Sequence, residues 1–143
     1  MDKIIYNTHK SSINVKHNDF TISLQTPNLL SLWRSKTFSS KEPETLEWID
    51  NFQKRSVFWN MGANIGLYKI YVAMNGHKIF SFEPSFFNLE TLSKNINLNK
   101  LENKVTIFSI VLNDSPKINN FNLSKIEWGG ANSTFDKNIR WDG

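Results

Sequence analysis

The chain has 143 residues, 39% hydrophobic and 13% aromatic, enough for one domain with a sizeable core and too few for two ordinary ones. Its net charge of +4 comes from Lys and Arg scattered along the sequence, which describes a solvated surface rather than the basic stripe of a nucleic-acid binder. With no cysteine, disulfides, thiolate metal sites and cysteine nucleophiles are excluded, and no metal is implied.

The start, Met1 to Asn7, lacks the apolar core of a signal peptide, and no run approaches the roughly 18 apolar residues of a membrane helix. The expected setting is therefore a soluble protein of the cytoplasm. The abundance of Asn and Lys reads as base-composition bias in the gene, which leaves many of these side chains as surface residues without a role.

Residues 1–26 hold two short β-like runs, Ile4-Ile5-Tyr6 and Phe20-Thr21-Ile22-Ser23-Leu24, separated by polar turns. Pro27-Asn28 opens a helical pattern through Leu29, Leu30, Leu32 and Trp33, expected to end before the Ser- and Lys-rich stretch Ser35 to Lys41. A second helix is predicted from Pro43, a residue suited to the first helical position, with Glu42 and Glu44 beside the positive end of the helix dipole. Leu46, Ile49 and Phe52 recur on its inner face.

The chain is organised around Phe58-Trp59-Asn60-Met61-Gly62-Ala63-Asn64-Ile65-Gly66, which reads as a strand, a tight loop and a helix start. Gly62 and Gly66 allow a sharp turn and close approach to a ligand, Asn64 tolerates a left-handed conformation, and the free N–H groups of the following helix favour an anionic group. Ile65 to Met74 is apolar nearly all round with Lys69 its only charge, a helix to be buried on a sheet, and Asn75-Gly76 supplies the stop. A second strand, Lys78 to Phe82, ends in Glu83-Pro84, and Glu83 follows Gly62 by 21 positions. Nucleotide-binding α/β folds place an acid on the ribose hydroxyls at about that offset, roughly 20 residues. A dinucleotide needs a bare glycine at its pyrophosphate, where Asn64 carries a side chain, so a nucleoside such as S-adenosylmethionine fits better.

A helix after Ser85 has Leu89, Leu92 and Ile96 on its inner stripe, and Val105 to Leu112 reads as a third strand buried on both faces. Strand, helix, strand, helix, strand makes a parallel α/β unit of right-handed crossovers. Beyond Pro116, Lys117 to Leu123 alternates like a strand and Trp128-Gly129-Gly130-Ala131 reads as a tight turn into Ser133-Thr134-Phe135, an appended hairpin.

Trp59 to Tyr68, Phe82-Glu83-Pro84-Ser85 with Asn88-Leu89, Asn95-Ile96 and Val111-Leu112-Asn113-Asp114 together resemble the FkbM family of S-adenosylmethionine-dependent methyltransferases over about residues 43–135. The resemblance implies a Rossmann-like class I methyltransferase fold, with residues 1–42 as an N-terminal extension and 43–143 as the cofactor-binding domain. It implies transfer of a methyl group to a hydroxyl oxygen of a small molecule or sugar, with no nucleic-acid or membrane partner. Asn60 stands where family members commonly carry Asp and keeps the shape without the charge. The family's downstream Lys-Ile-Asp-x-Glu-Gly-like segment is absent, so a truncated, incomplete sheet is expected, with the strand at 57–61 left as an open edge.

On this reading Gly62, Ala63, Asn64 and Gly66 wrap the methionine end of the cofactor, Glu83 accepts the ribose hydroxyls, and Asn60 bonds either the loop or the cofactor amino group. Asn113 and Asp114 end the third strand, placed to meet the adenine amino group or simply to form a polar turn, and Phe86 or Phe87 is a stacking candidate otherwise assigned to the core. No catalytic base is identified. His77 sits in the turn entering the second strand and reads as a surface histidine; His9 and His17 lie in the uninformative N-terminal segment. Arg34 and Glu42 read as solvated charges flanking a loop, and Trp128 to Ser133 is a weak candidate to approach an acceptor. Two rivals stand beside the enzyme: a non-catalytic cofactor-binding module or inactive remnant, and a nicotinamide-dependent oxidoreductase.

Overall fold

The computed structural model describes residues 12–136; the run Ile4-Ile5-Tyr6, His9 and the segment from Arg140 to Gly143 lie outside them. Strands β1 (Ser12–His17) and β2 (Phe20–Gln25) form an antiparallel hairpin. Helices α1 (Leu29–Lys36), α2 (Phe38–Lys41) and α3 (Pro43–Asp50) follow. Strand β3 (Val57–Met61), helix α4 (Leu67–Met74), strand β4 (Lys78–Phe82), helix α5 (Phe86–Leu98) and strand β5 (Val105–Phe108) make the α/β unit. Its sheet is parallel, in the order β3-β4-β5, with Trp59 beside Phe80 and Ile79 beside Val105. Strands β6 (Phe121–Asn122) and β7 (Thr134–Phe135) close the described chain as a short antiparallel pair. The predicted hairpin is present, with its first strand cut to two residues.

Local sequence explains the helix boundaries. Asn28 Oδ1 accepts from the Ser31 N–H at 2.9 Å while Ser31 Oγ accepts from the Asn28 N–H at 3.2 Å, a reciprocal cap that starts α1. Pro43 occupies the first turn of α3, as expected. Helix α1 runs into the stretch assigned to a loop, and Phe38 within that stretch is 1% exposed. One apolar core unites the elements: Ile22 and Leu24 of β2, Phe38 of α2, Leu46 and Ile49 of α3, Ile70 to Ala73 of α4, Ile79 of β4, Leu92 and Ile96 of α5. The segment 1–26, the least legible in sequence, thus supplies two of its fully buried side chains, Ile22 and Leu24, and the Ser- and Lys-rich stretch supplies a third, Phe38.

Helix α5 holds β2 through side-chain amides. Asn99 accepts from the Ser23 N–H at 2.9 Å and donates to the Ser23 carbonyl at 2.7 Å, and Asn95 accepts from the Gln25 N–H at 2.7 Å. Backbone groups on the outer edge of the hairpin are satisfied this way without a third strand.

Strand β5 is shorter than predicted. It ends at Phe108, whose carbonyl accepts from the Glu83 N–H, and Ile110 and Leu112 are exposed. Those side chains leave the sheet to wall a cavity, which is why the sequence stays apolar past the strand end. Nor is β5 buried on both faces, because Phe108 is 37% exposed. The face carrying Trp59, Phe80, Phe82 and Phe108 is a row of touching rings, and among the described residues β3 pairs only with β4, the open edge expected at 57–61. No helix among the described residues is long and apolar enough to cross a membrane.

His77 is 4% exposed, packed edge-on against Phe52 at 5.6 Å between ring centres, with Nδ1 buried and unpartnered. The sequence reading had it on the surface; the turn entering β4 tucks beneath the end of α3 instead. Burial first, and Lys104 second, lower its pKa below the ordinary 6.5. The fold therefore holds it neutral, so its contribution to stability is fully present above pH 6.5 and is lost as pH falls through the lowered value. His77→Phe should flatten the acid side of the stability profile below pH 6.5, read as the urea midpoint at each pH.

Candidate functional site

At the carboxyl end of β3 the chain makes three left-handed turns in five residues, at Gly62 (φ 69°), Asn64 (φ 51°) and Gly66 (φ 89°). The N–H groups of Gly62 and Ala63 both donate to the Phe82 carbonyl, tying the loop to β4. A Cβ on Gly62 would meet no protein atom within 4 Å, so its bare face opens on free space, whereas one on Gly66 would lie 2.5 Å from Leu92 Cδ1. Gly62 therefore leaves the loop's outer face open, and Gly66 serves packing of the loop on α5.

Glu83, where β4 ends, is 5% exposed. Its Oε2 accepts from the Asn64 N–H at 2.6 Å and its Oε1 from the Ser85 N–H at 2.9 Å, with the Asn88 amide at 3.5 Å. One carboxylate thus braces the glycine loop and the start of α5. An ionised carboxylate accepts about four hydrogen bonds, so capacity remains for a ligand. The Lys69 ammonium, 7% exposed on α4, donates to the Ala63 carbonyl at 2.6 Å from behind the loop.

These groups border a cavity of 310 Å³, the size of a small-ligand site. One wall is Met61, Gly62, Asn64, Glu83, Pro84 and Asn88; facing it are the 110–112 segment, Phe121, Phe135 and residues 130–133. Glu83 is the one ionisable residue among the described residues that line it.

The Trp128–Gly130 segment, weak as a sequence candidate, straps this cavity. Asn64 and Asn88 both donate to the Gly130 carbonyl, at 2.9 and 3.0 Å, and Asn88 Oδ1 accepts from the Gly129 N–H at 2.9 Å. Trp128 donates from its indole to Glu90 at 2.9 Å, and Asn28 donates to the Trp128 carbonyl at 2.9 Å. Asn88, quoted above only as part of the resemblance, joins acid and strap, and meets Asn64 of the glycine loop at the Gly130 carbonyl. Its signal was a polar residue on the inner face of α5.

Of the predicted cofactor residues, Gly62, Asn64 and Glu83 line the cavity, while Ala63, fully buried, and Gly66 support the loop from behind. Asn60 turns away from the cavity, leaving Oδ1 buried and unpartnered, because alternation along β3 sends Met61 to the cavity and Asn60 to the other face. Asn113 and Asp114 are both exposed and border the neighbouring 110–119 hollow, where they bond Ser115, as the polar-turn alternative describes. Neither Phe86 nor Phe87 reaches the cavity; Phe86 is 80% exposed and Phe87 packs edge-on against Trp128. Arg34 and Glu42 are not free surface charges. Arg34 Nε is buried beside Gly129, and Glu42 accepts from Tyr68, whose hydroxyl is pushed up to about 12 by burial first and this carboxylate second. His17 bonds Ser39 at 3.0 Å and packs against Tyr71, away from the cavity.

No protein-family model and no curated protein matches the chain. Solved structures do. TYW2 of Pyrococcus horikoshii, in complex with MeSAdo, matches 73% of this chain with a TM-score of 0.54 and 20% identity. The M. jannaschii tRNA m1G37 methyltransferase matches 71% with 0.50 and 24%, and an SAM-dependent methyltransferase from Agrobacterium tumefaciens 68% with 0.50 and 13%. The chain spans 38%, 29% and 32% of those three chains, respectively. The likeness establishes the fold: an α/β, Rossmann-like class I methyltransferase fold, the class expected from the sequence.

Proposed function

We propose that the chain is the S-adenosylmethionine-binding part of a methyltransferase whose acceptor is a hydroxyl oxygen of a small molecule or sugar. The observation that carries the cofactor reading is Glu83, buried at the end of β4, held by two backbone N–H groups and still able to accept, on the same cavity wall as the bare face of Gly62. On this reading Glu83 holds the ribose hydroxyls, Gly62 lets the ligand reach the backbone, and Pro84 with the 110–112 segment walls the base. Asn64, its amide on Gly130, fills the place where a dinucleotide needs bare backbone, which favours a nucleoside over a nicotinamide dinucleotide. The cofactor, when bound, supplies a methyl group activated by the sulfonium. What this chain contributes is orientation and exclusion of water by the strap.

The hydroxyl acceptor rests on the FkbM resemblance, while the name of one structural neighbour points to tRNA. A second reading, a cofactor-binding module without catalysis, is favoured by one observation: the only ionisable group on the described walls is Glu83, which is already committed to the loop.

Calorimetric titration of the folded chain with S-adenosylhomocysteine should give saturable one-to-one binding; no heat from a chain with native circular dichroism would sink the cofactor reading. Tritium from methyl-labelled S-adenosylmethionine appearing on tRNA rather than on a glycan or small alcohol would replace the acceptor. Binding with no transfer to either would leave the module.

A further inference from the structure

Lys69 is an anomaly in α4. Its neighbours Ile70 to Ala73 are fully buried and apolar, and any of their side-chain types would pack there without the cost of a buried ammonium. Its Nζ donates to the Ala63 carbonyl at 2.6 Å, while the Asn64 N–H donates to Glu83 Oε2 at 2.6 Å. Those two backbone groups belong to one peptide unit. In a trans peptide they point in opposite directions, so a buried cation sits at the negative end of the unit's dipole and a buried anion at its positive end. Both bonds are charge-assisted, and each polarises the group the other uses. Turning this peptide would break both at once, and it leads into Asn64, held at a φ of 51°.

We propose that Lys69 is a positioning residue for the nucleoside site: with Glu83 it grips the Ala63–Asn64 peptide from both ends, and its proton sets how firmly the loop and the Glu83 carboxylate are held for the ligand. The inference rests on the nucleoside reading of the cavity.

The charged groups around Lys69 come from three other elements. Glu83 at the end of β4 and Glu42 at the start of α3 favour its proton, whereas Arg34 of α1 opposes it. Burial outweighs them and brings the ammonium down from 10.5 to about 8. The grip is therefore intact at neutral pH and released a little above it. The fold responds in the opposite sense. Between about 8 and 10.5 the unfolded chain binds the extra proton, so stability rises with pH across the window in which the grip is lost. Affinity and stability thus move apart, which a merely structural lysine would not cause.

The probe is 5′-methylthioadenosine, which has no amino-acid ammonium of its own to titrate between about pH 6.5 and 9.5. Its dissociation constant for the wild-type chain should rise about tenfold from pH 7 to 9, while Lys69→Met binds about tenfold more weakly at pH 7 and shows no such rise. Independently of any ligand, the Asn64 amide resonance should titrate with a midpoint near Lys69's pKa of about 8 in the wild type and not in Lys69→Met. An Asn64 amide indifferent to this window, or affinity that ignores pH while the amide titrates, overturns the proposal. A titrating amide in a folded chain that binds no nucleoside means that the cofactor reading has failed, taking the positioning role with it and leaving only the peptide grip.

Discussion

Glu83→Gln is expected to lower affinity for S-adenosylhomocysteine by roughly 10- to 100-fold and to destabilise the fold by about 1–3 kcal/mol, the range for a lost charge-assisted bond and an orphaned buried donor. The two carboxylate oxygens accept from two different backbone donors, Asn64 in the glycine loop and Ser85 at the start of α5. A carboxamide has one such oxygen. Whichever way it turns, its NH2 faces an N–H, and either the loop or the helix start loses its anchor. The substitution also removes the anion that balances Lys69. Calorimetry reads the first effect and urea denaturation the second. Wild-type affinity in the variant would show that the ligand does not use this carboxylate.

The second large effect lies at Asn95, fully buried on α5. Its Oδ1 accepts from the Gln25 N–H at 2.7 Å and its Nδ2 donates to the Ile65 carbonyl at 2.8 Å, so one side chain joins the N-terminal hairpin to the loop that precedes α4. Asn95→Ala strands a backbone donor and a backbone acceptor out of reach of water and should cost about 2–4 kcal/mol. Asn95→Leu restores the volume and should recover little, since both backbone groups remain unpaired. That contrast, measured as chemical denaturation midpoints, separates hydrogen bonding from packing. Near-wild-type stability in the Leu variant would mean that water or a shifted neighbour satisfies both groups.

The centre of the molecule could be read from sequence because its signals are local. A strand that breaks into Gly62 and Gly66 and an acid closing the next strand need no knowledge of distant residues, and Gly62, Asn64 and Glu83 line one cavity. What escaped depends on partners far along the chain. Asn88 and Asn95 carry the resemblance without a role of their own, yet with Thr91 and the C-cap Asn99 they fall at helical spacing along one face of α5, beside Leu92 and Ile96. That polar stripe was visible; what it binds, backbone 70 and 76 positions away in β2 and 41 away in the strap, was not. Lys69 carried its own clue as the single charge in an apolar helix. His77 was placed by loop position alone, and a turn can tuck under the core or face outward with the same composition. Past Phe108 the apolar run continued for the cavity, so hydrophobicity overstated the strand.

The way α5 holds β2 also orders events on the ribosome. Residues 20–25 emerge early, but the amides that satisfy their outer edge, on Asn95 and Asn99, are made about seventy residues later. At roughly 5–20 residues per second, the hairpin waits on the order of 4–15 s with Ile22 and Leu24 lacking their final cover. During synthesis the hairpin therefore stays without its final cover, and the chain gains its native core only when α5 and Asn99 have cleared the exit tunnel.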